Sequence, residues 1–194
     1  MQVPRQVRLR AAHRVFQYLY TTRTYRLVYR SGSPLQVVIY SDASHGSAAD
    51  IPYATRGYIV QMAGGTVTWS SKKIKMVTLS STEAEYVAAC EAVKEAAWLT
   101  HLFTWMGLSP LRTRLLVDNQ PAIHIAQNPV CHSRIKHIRL DYHYIREEAV
   151  QNGLVDLEYI PTKEQLADIT TKVLPKETFK LLAARCLTVT NSVA

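Results

Sequence analysis

The sequence predicts an α/β fold, a mixed sheet with helices packed over it. Two observations carry that prediction. Two short apolar runs, Val37-Val38-Ile39-Tyr40 and Leu115-Leu116-Val117, have the unbroken hydrophobicity of strands buried on both faces, and each leads into an aspartate, Asp42 and Asp118. Around them, three strand patterns on tight turns give way to strands joined by helical stretches, an order that makes a mixed sheet.

Taken in order, residues 5–22 read as an amphipathic helix, with Ala11, Val15 and Leu19 aligned beside Ala12, Phe16 and Tyr20. Ser31-Gly32-Ser33-Pro34 breaks the chain. Strands are expected over 35–42, 55–63 and 65–71, with Gly64-Gly65 as the hairpin turn. Ser80-Ser81-Thr82-Glu83 has the form of a capping box and opens a helix running to about Met106. A strand over 113–118 is followed by a short helix over 120–127 that Asn128-Pro129 stops. A second helix spans about 136–151 and ends at Gly153. A strand over 155–160, closed by Pro161-Thr162, and a last helical region complete the pattern. The stretch from Thr188 has no periodicity and reads as a frayed tail.

At 194 residues the chain is one ordinary domain with short extensions, apolar enough for a proper core. No apolar run approaches membrane-spanning length, and the start has no hydrophobic stretch of a signal peptide. The three cysteines, Cys90, Cys131 and Cys186, are isolated and odd in number, as in reduced intracellular proteins. A net charge of +8 favours a polyanionic partner. Basic residues cluster at Lys72, Lys73 and Lys75, at Arg134, Lys136, His137, Arg139, His143 and Arg146, and at Arg5, Arg8, Arg10 and Arg14. Each cluster fits a solvated surface. Beside a phosphate-cleaving site the first two become candidate phosphate contacts.

The acids carry the chemistry. An ionised carboxylate at the end of a buried strand persists where it is hydrogen-bonded, paired or metal-bound. Two of them at the carboxyl ends of strands, where α/β sheets collect ligands, suggest a hard divalent cation. Glu85 joins them by helix geometry. Ala89, Ala92, Ala96, Leu99 and Phe103 fall on one stripe with it, so Glu85 sits one turn into the helix on the sheet-facing side, whereas Glu83 and Glu91 do not. Asp168 is the fourth candidate, beside the Leu166, Ile169, Val173 stripe, although an acid in such a place, taken alone, is more often a solvated helix residue.

Six words of the sequence, in this order, are Tyr40-Ser41-Asp42-Ala43-Ser44, Leu79-Ser80-Ser81-Thr82-Glu83-Ala84-Glu85-Tyr86, Val117-Asp118-Asn119-Gln120-Pro121-Ala122, Lys136-His137-Ile138, Tyr142-His143-Tyr144-Ile145-Arg146-Glu147 and Ala167-Asp168-Ile169-Thr170-Thr171-Lys172. Over roughly 35–175 the chain thereby resembles the ribonuclease H domain of copia-type LTR retrotransposon polyproteins. The stretch from Arg10 to Tyr29 resembles the segment that joins reverse transcriptase to that domain.

The resemblance implies a ribonuclease H-like fold, a five-stranded mixed sheet of order 3-2-1-4-5 with helices on both faces. It implies a connector over 1–33, a nuclease domain over 34–187 and a disordered tail over 188–194. The implied activity is hydrolysis of the RNA strand of RNA–DNA hybrids during reverse transcription, with two Mg²⁺ ions about 4 Å apart and Mn²⁺ as a substitute. By the same resemblance Asp42 bridges both ions, Glu85 and Asp118 hold the leaving-group ion, and Asp168 holds the ion that activates water. Gln120, Ser81, Thr82 and Ser44 fall at positions facing the nucleic acid, with Lys72 and Lys73 for its phosphates. The implied partner is the reverse transcriptase of the same polyprotein, in an intracellular retrotransposon particle or the nucleus, with no membrane.

Two departures stand out. Ser81 and Thr82 occupy positions where many ribonucleases H carry asparagines, and Glu158 stands where many carry a mobile histidine. Three other readings compete: a catalytically weak remnant that binds nucleic acid or scaffolds a polyprotein, an integrase or transposase with three acids, and a zinc site from Cys131, His132, His137 and His143 that lacks finger spacing.

Overall fold

The computed structural model describes residues 6–44, 54–108, 112–128 and 152–189. The centre of the sheet is β2 (Val38–Ser44), where β1 is the two-residue strand Tyr25–Arg26. On one side β2 pairs antiparallel with β3 (Thr55–Met62), and β3 with β4 (Gly65–Lys73). On the other side β2 pairs parallel with β5 (Thr113–Val117), and β5 with β6 (Val155–Tyr159). The order β4-β3-β2-β5-β6 is 3-2-1-4-5 when the sheet's own strands are counted along the chain, as the resemblance implies.

The apolar runs are explained by cover on both faces. Along β2, Ile39 packs with Val60, Leu115, Val117 and the helix residues Tyr86, Ala89, Val93 and Ala96. Tyr40, pointing the other way, packs with Ile59, Leu116, Leu166 and Leu182. The first face carries α2 (Ser81–Trp105) and α3 (Gln120–Gln127). The second carries α4 (Asp168–Thr171) and α5 (Lys176–Cys186). Each large apolar side chain so buried contributes about 1.5–3 kcal/mol. Small residues on the inner stripe of α2, Ala84, Ala88, Ala92 and Ala96, are fully buried and bring the helix close to the sheet.

The start signal of α2 acts as the sequence predicts. Ser80 caps α2, its hydroxyl accepting from the Glu83 N–H at 3.2 Å, while the Glu83 carboxylate accepts from the Leu79 N–H at 2.7 Å. Asn119 caps α3 by accepting from the Ala122 N–H at 2.9 Å.

The hairpin turn differs from expectation. It is Ala63-Gly64, not Gly64-Gly65. Ala63 has φ 51° and Gly64 φ 77°, the two left-handed residues of a tight hairpin, and Gly65 already belongs to β4. Gly65 is needed for another reason: a Cβ there would stand 2.7 Å from the Val28 carbonyl oxygen.

The expected tail needs correction as well. Thr188 and Val189 form β7 (Thr188–Val189), which pairs antiparallel with β1 through Tyr25 opposite Val189 and Arg26 opposite Thr188. The chain before the sheet is tied on by Tyr29, whose hydroxyl donates to the Thr66 carbonyl at 2.7 Å. Helix α1 (Gln6–Thr21) forms as expected but buries no residue, and Tyr18 meets Phe179 of α5 edge-on. The expected helix over 136–151, the basic cluster from Arg134 to Arg146 and the zinc candidates Cys131, His132, His137 and His143 lie outside the described residues.

Candidate active site

The parallel pairing of β2 with β5 ends at Ser41 opposite Val117. Asp42 and Asp118 are the next residues on the two strands, so both carboxylates stand where the parallel ladder stops. Asp42 has no exposed surface. On its other side Asp42 is paired with Gly57 of β3.

Asp168 reaches the same place from the opposite end of the chain. After β6 a 3₁₀ turn (Thr162–Glu164) leads to Gln165, a fully buried amide. Its Nε2 donates to the Ser41 carbonyl at 2.9 Å, and its Oε1 accepts from the Ala167 N–H at 3.2 Å. One side chain thus fastens the last segment to the central strand beside Asp42. Helix α4 then lies against β3 at Gly57, where an added Cβ would overlap the Thr170 side chain. Ser71 Oγ donates to the Thr170 carbonyl at 2.6 Å and holds the far side. Carboxylate oxygens of Asp42, Asp118 and Asp168 consequently lie within 4.8 Å of one another. An all-oxygen set of this kind suits a hard divalent cation and could hold one.

Glu85 borders this triad, as the helical stripe predicts. It is buried one turn into α2 and accepts from the Ala43 N–H at 3.1 Å. Burial pushes its carboxyl up to about 9, the negative charges of Asp42 and Asp118 add to the rise, and the Ala43 N–H opposes it. Without a cation, Glu85 is therefore protonated at neutral pH and shares a hydrogen bond with Asp42.

Two groups on and after α4 complete the shell around Asp42. The Thr171 hydroxyl donates to Asp42 Oδ2. The Lys172 ammonium lies 3.0 Å from Asp42 Oδ1 and 2.8 Å from Asp168 Oδ1. Burial pushes the Asp168 carboxyl up, the Lys172 hydrogen bond opposes that, and the charge of Asp42 adds to the rise. Burial works against the charged form of Lys172, but its two carboxylate partners outweigh it and hold the ammonium above its ordinary range.

No family model matches the chain. Relatives do. The retrovirus-related Pol polyprotein from transposon RE1 of Arabidopsis thaliana is 38% identical over 186 residues, 95% of this chain and 13% of that protein. The corresponding polyprotein from transposon TNT 1-94 of Nicotiana tabacum is 40% identical over 142 residues, 73% of this chain and 11% of that protein. The chain belongs to the retrovirus-related transposon Pol polyproteins. It spans only about an eighth of the length of these relatives. Among solved structures, LC11-RNase H1 in complex with RNA/DNA hybrid aligns with a TM-score of 0.46 at 20% identity, covering 70% of this chain and 94% of that one.

In this Pol segment the remaining candidates lie on or beside the elements that carry the acids. Gln120 is exposed at the first position of α3, two residues after Asp118. Ser81 is exposed and Thr82 half-buried in the first turn of α2, ahead of Glu85. Ser44, half-buried, ends β2 opposite Thr55. Thr55 in turn pairs with Lys73, and Arg56 with Lys72, so the two exposed lysines lie at the same end of the sheet as Asp42. Glu158 does not turn toward the acids. Arg114 Nε and Nη2 grip its carboxylate at 2.8 and 2.6 Å, and that partner holds the carboxyl below its ordinary value. Gln165, Thr171, Lys172 and Gly57 are the residues that sequence reasoning missed. Thr171 and Lys172 stand inside the Ala167-to-Lys172 word, which was the signal available for them.

Proposed function

We propose that this chain is the ribonuclease H of a transposon Pol polyprotein, a divalent-metal-dependent endonuclease that hydrolyses the RNA strand of RNA–DNA hybrids. The observation that carries the proposal is the convergence of Asp42, Asp118 and Asp168 from three separated stretches of sequence, with carboxylate oxygens within 4.8 Å. Asp42, Glu85, Asp118 and Asp168 would hold two Mg²⁺ ions, or Mn²⁺. When bound, such ions share the charge of the attacking and leaving oxygens of a phosphodiester and make water acidic enough to attack it.

The chain's own groups fit that task. Asp42 is central: Asp168 and Lys172 flank it on the α4 side and Glu85 on the α2 side, so one carboxylate serves both halves of the site. Glu85 gives up its proton to become a ligand, which makes cation affinity rise with pH. Lys72 and Lys73 meet backbone phosphates, and Ser44, Ser81 and Thr82 border the groove. Gln120 reads the RNA 2′-hydroxyl, which an amide can both donate to and accept from. The segment works beside the reverse transcriptase of its own polyprotein, inside the cell. Among the described residues no helix is long and apolar enough to cross a membrane.

The test is cleavage of a labelled RNA–DNA hybrid with Mg²⁺, run beside Asp42→Asn. Cleavage by the parent and none by the folded variant is the expected result. Near-normal cleavage by Asp42→Asn would remove the site assignment, and hybrid binding without cleavage by the parent would favour a nucleic-acid-binding remnant.

A further inference from the structure

We propose that Lys172 is a built-in counter-cation of this centre, holding its Asp42–Asp168 half until a divalent cation displaces it. The proposal rests on the nuclease reading above and adds a residue to it. The Lys172 ammonium makes two charge-assisted hydrogen bonds, to Asp42 Oδ1 at 3.0 Å and Asp168 Oδ1 at 2.8 Å. An ordinary helical ion pair between residues four apart accounts for the second bond. It does not account for the first, whose partner is 130 residues away and completely buried.

The geometry makes this ammonium removable. The Lys172 side chain is 34% exposed, whereas the Asp42 side chain has no exposure. Lys172 therefore approaches the carboxylates from the solvent side and has a way out that Asp42 lacks. It caps the C-terminal end of α4, so its four-carbon stem can swing away without unwinding that helix.

An ammonium and a hard divalent cation seek the same ligands, carboxylate oxygens. Asp42 and Asp168 belong to the triad, so a cation seated between them competes with Lys172 for the same two carboxylates. Two positive charges cannot share those oxygens without strong repulsion in a partly buried site. In the resting protein Lys172 thus offsets the mutual repulsion of Asp42 and Asp168. In the loaded protein it has moved out. The cost of that exchange makes metal binding without nucleic acid weak.

The test uses the full chain and Mn²⁺ as the probe, with free Mn²⁺ read by electron paramagnetic resonance in the absence of nucleic acid. Lys172→Met, folded by circular dichroism, should bind Mn²⁺ at least about tenfold more tightly than the parent, because the competing charge is gone. Equal or weaker binding by the folded variant overturns the proposal. Should Lys172→Met fail to fold, the parent decides the matter. The ¹⁵N–¹H signal of the Lys172 ammonium, slowed in exchange by its two carboxylate partners, should shift or vanish at Mg²⁺ saturation, and a signal unchanged there overturns the proposal. A parent that binds no Mn²⁺ even with hybrid present overturns the nuclease reading and the counter-cation role together. A parent that cleaves hybrid, with a variant of equal Mn²⁺ affinity, removes the counter-cation role alone.

Discussion

Gly57 of β3 lies directly beneath Thr170 of α4, with no space for a methyl group between them. Because Gly57 is also the antiparallel partner of Asp42, this contact sets the height at which α4 carries Asp168 over the central strand. The Thr170 hydroxyl, turned back to the Ala167 carbonyl at 2.6 Å, and the Ser71 bond to the Thr170 carbonyl leave α4 little freedom to shift sideways.

Gly57→Ala should accordingly lift α4 and spoil the site from a distance. An overpacked contact of this kind costs about 1–3 kcal/mol, and a displacement near 1 Å at a catalytic group costs about a hundredfold in rate. Hybrid cleavage should fall by that order, and Thr170→Ala in the same chain should restore part of it by removing the hydroxyl that the methyl overlaps. Unchanged cleavage and unchanged thermal stability in Gly57→Ala would show that α4 is not held by this contact.

Glu85→Gln and Glu83→Gln separate the two acids of one helical turn. Glu85 is neutral in the cation-free protein at pH 7, so glutamine is nearly its isostere there and stability in EDTA should hardly change. Cleavage should nevertheless be lost, because an amide cannot supply the missing charge. Glu83 accepts the Leu79 N–H and closes the capping box. Its glutamine variant should lose at most about 1 kcal/mol and keep most of its activity. Comparable activity losses in the two folded variants would sink the distinction.

The proton on Glu85 also gives the cation-free protein a characteristic pH dependence. Its carboxyl titrates near 9 when folded and at its ordinary 4.5 when unfolded, so between these values the folded state binds the extra proton. Stability is then fully present below about pH 4.5 and is lost as pH rises toward 9, with a slope of up to about 1.4 kcal/mol per pH unit. Asp168, also raised, acts in the same direction. Denaturant unfolding in EDTA should show the parent weakening between about pH 5.5 and pH 8.5, and Glu85→Gln weakening less. Saturating Mg²⁺ should protect more at the higher pH. Parallel pH profiles for parent and variant would mean that Glu85 carries no such proton.

What the sequence makes legible follows from how local each cause is. The strands at Val38–Ser44 and Thr113–Val117 are legible because burial on two faces leaves continuous apolar runs, and Glu85 because a helix repeats its inner face every three or four residues. The turn at Ala63-Gly64 is not, since alanine rarely adopts a positive φ and Gly65 draws attention for a different contact. The pairing of Thr188–Val189 is not, because a two-residue strand has no period and depends on Tyr25 and Arg26, more than 160 residues earlier. Gln165 and Lys172 look like surface residues of a polar stretch. Only the tertiary placement of that stretch beside Ser41 and Asp42 gives one a buried amide's role and the other two carboxylate partners.

Gln120 offers the most direct test of how hybrid is told from DNA. Its side chain starts from an exposed position two residues beyond Asp118, at the first position of α3. The cap of α3 is supplied by Asn119, so Gln120→Ala leaves the helix start intact, and alanine is at least as good a helix residue as glutamine. On the proposed reading, overall affinity for nucleic acid rests on lysine–phosphate contacts and should change little. The interaction proposed for Gln120 is with a 2′-hydroxyl, present only on the RNA strand, and one such hydrogen bond is worth about 0.5–1.5 kcal/mol. The preference for hybrid over all-DNA duplex should therefore drop by roughly twofold to tenfold. Binding to matched duplexes in Ca²⁺, which supports binding without turnover, measures both quantities at one salt concentration. A hybrid preference identical in Gln120→Ala and parent would move the reading of the sugar to Ser81 and Thr82 in the first turn of α2.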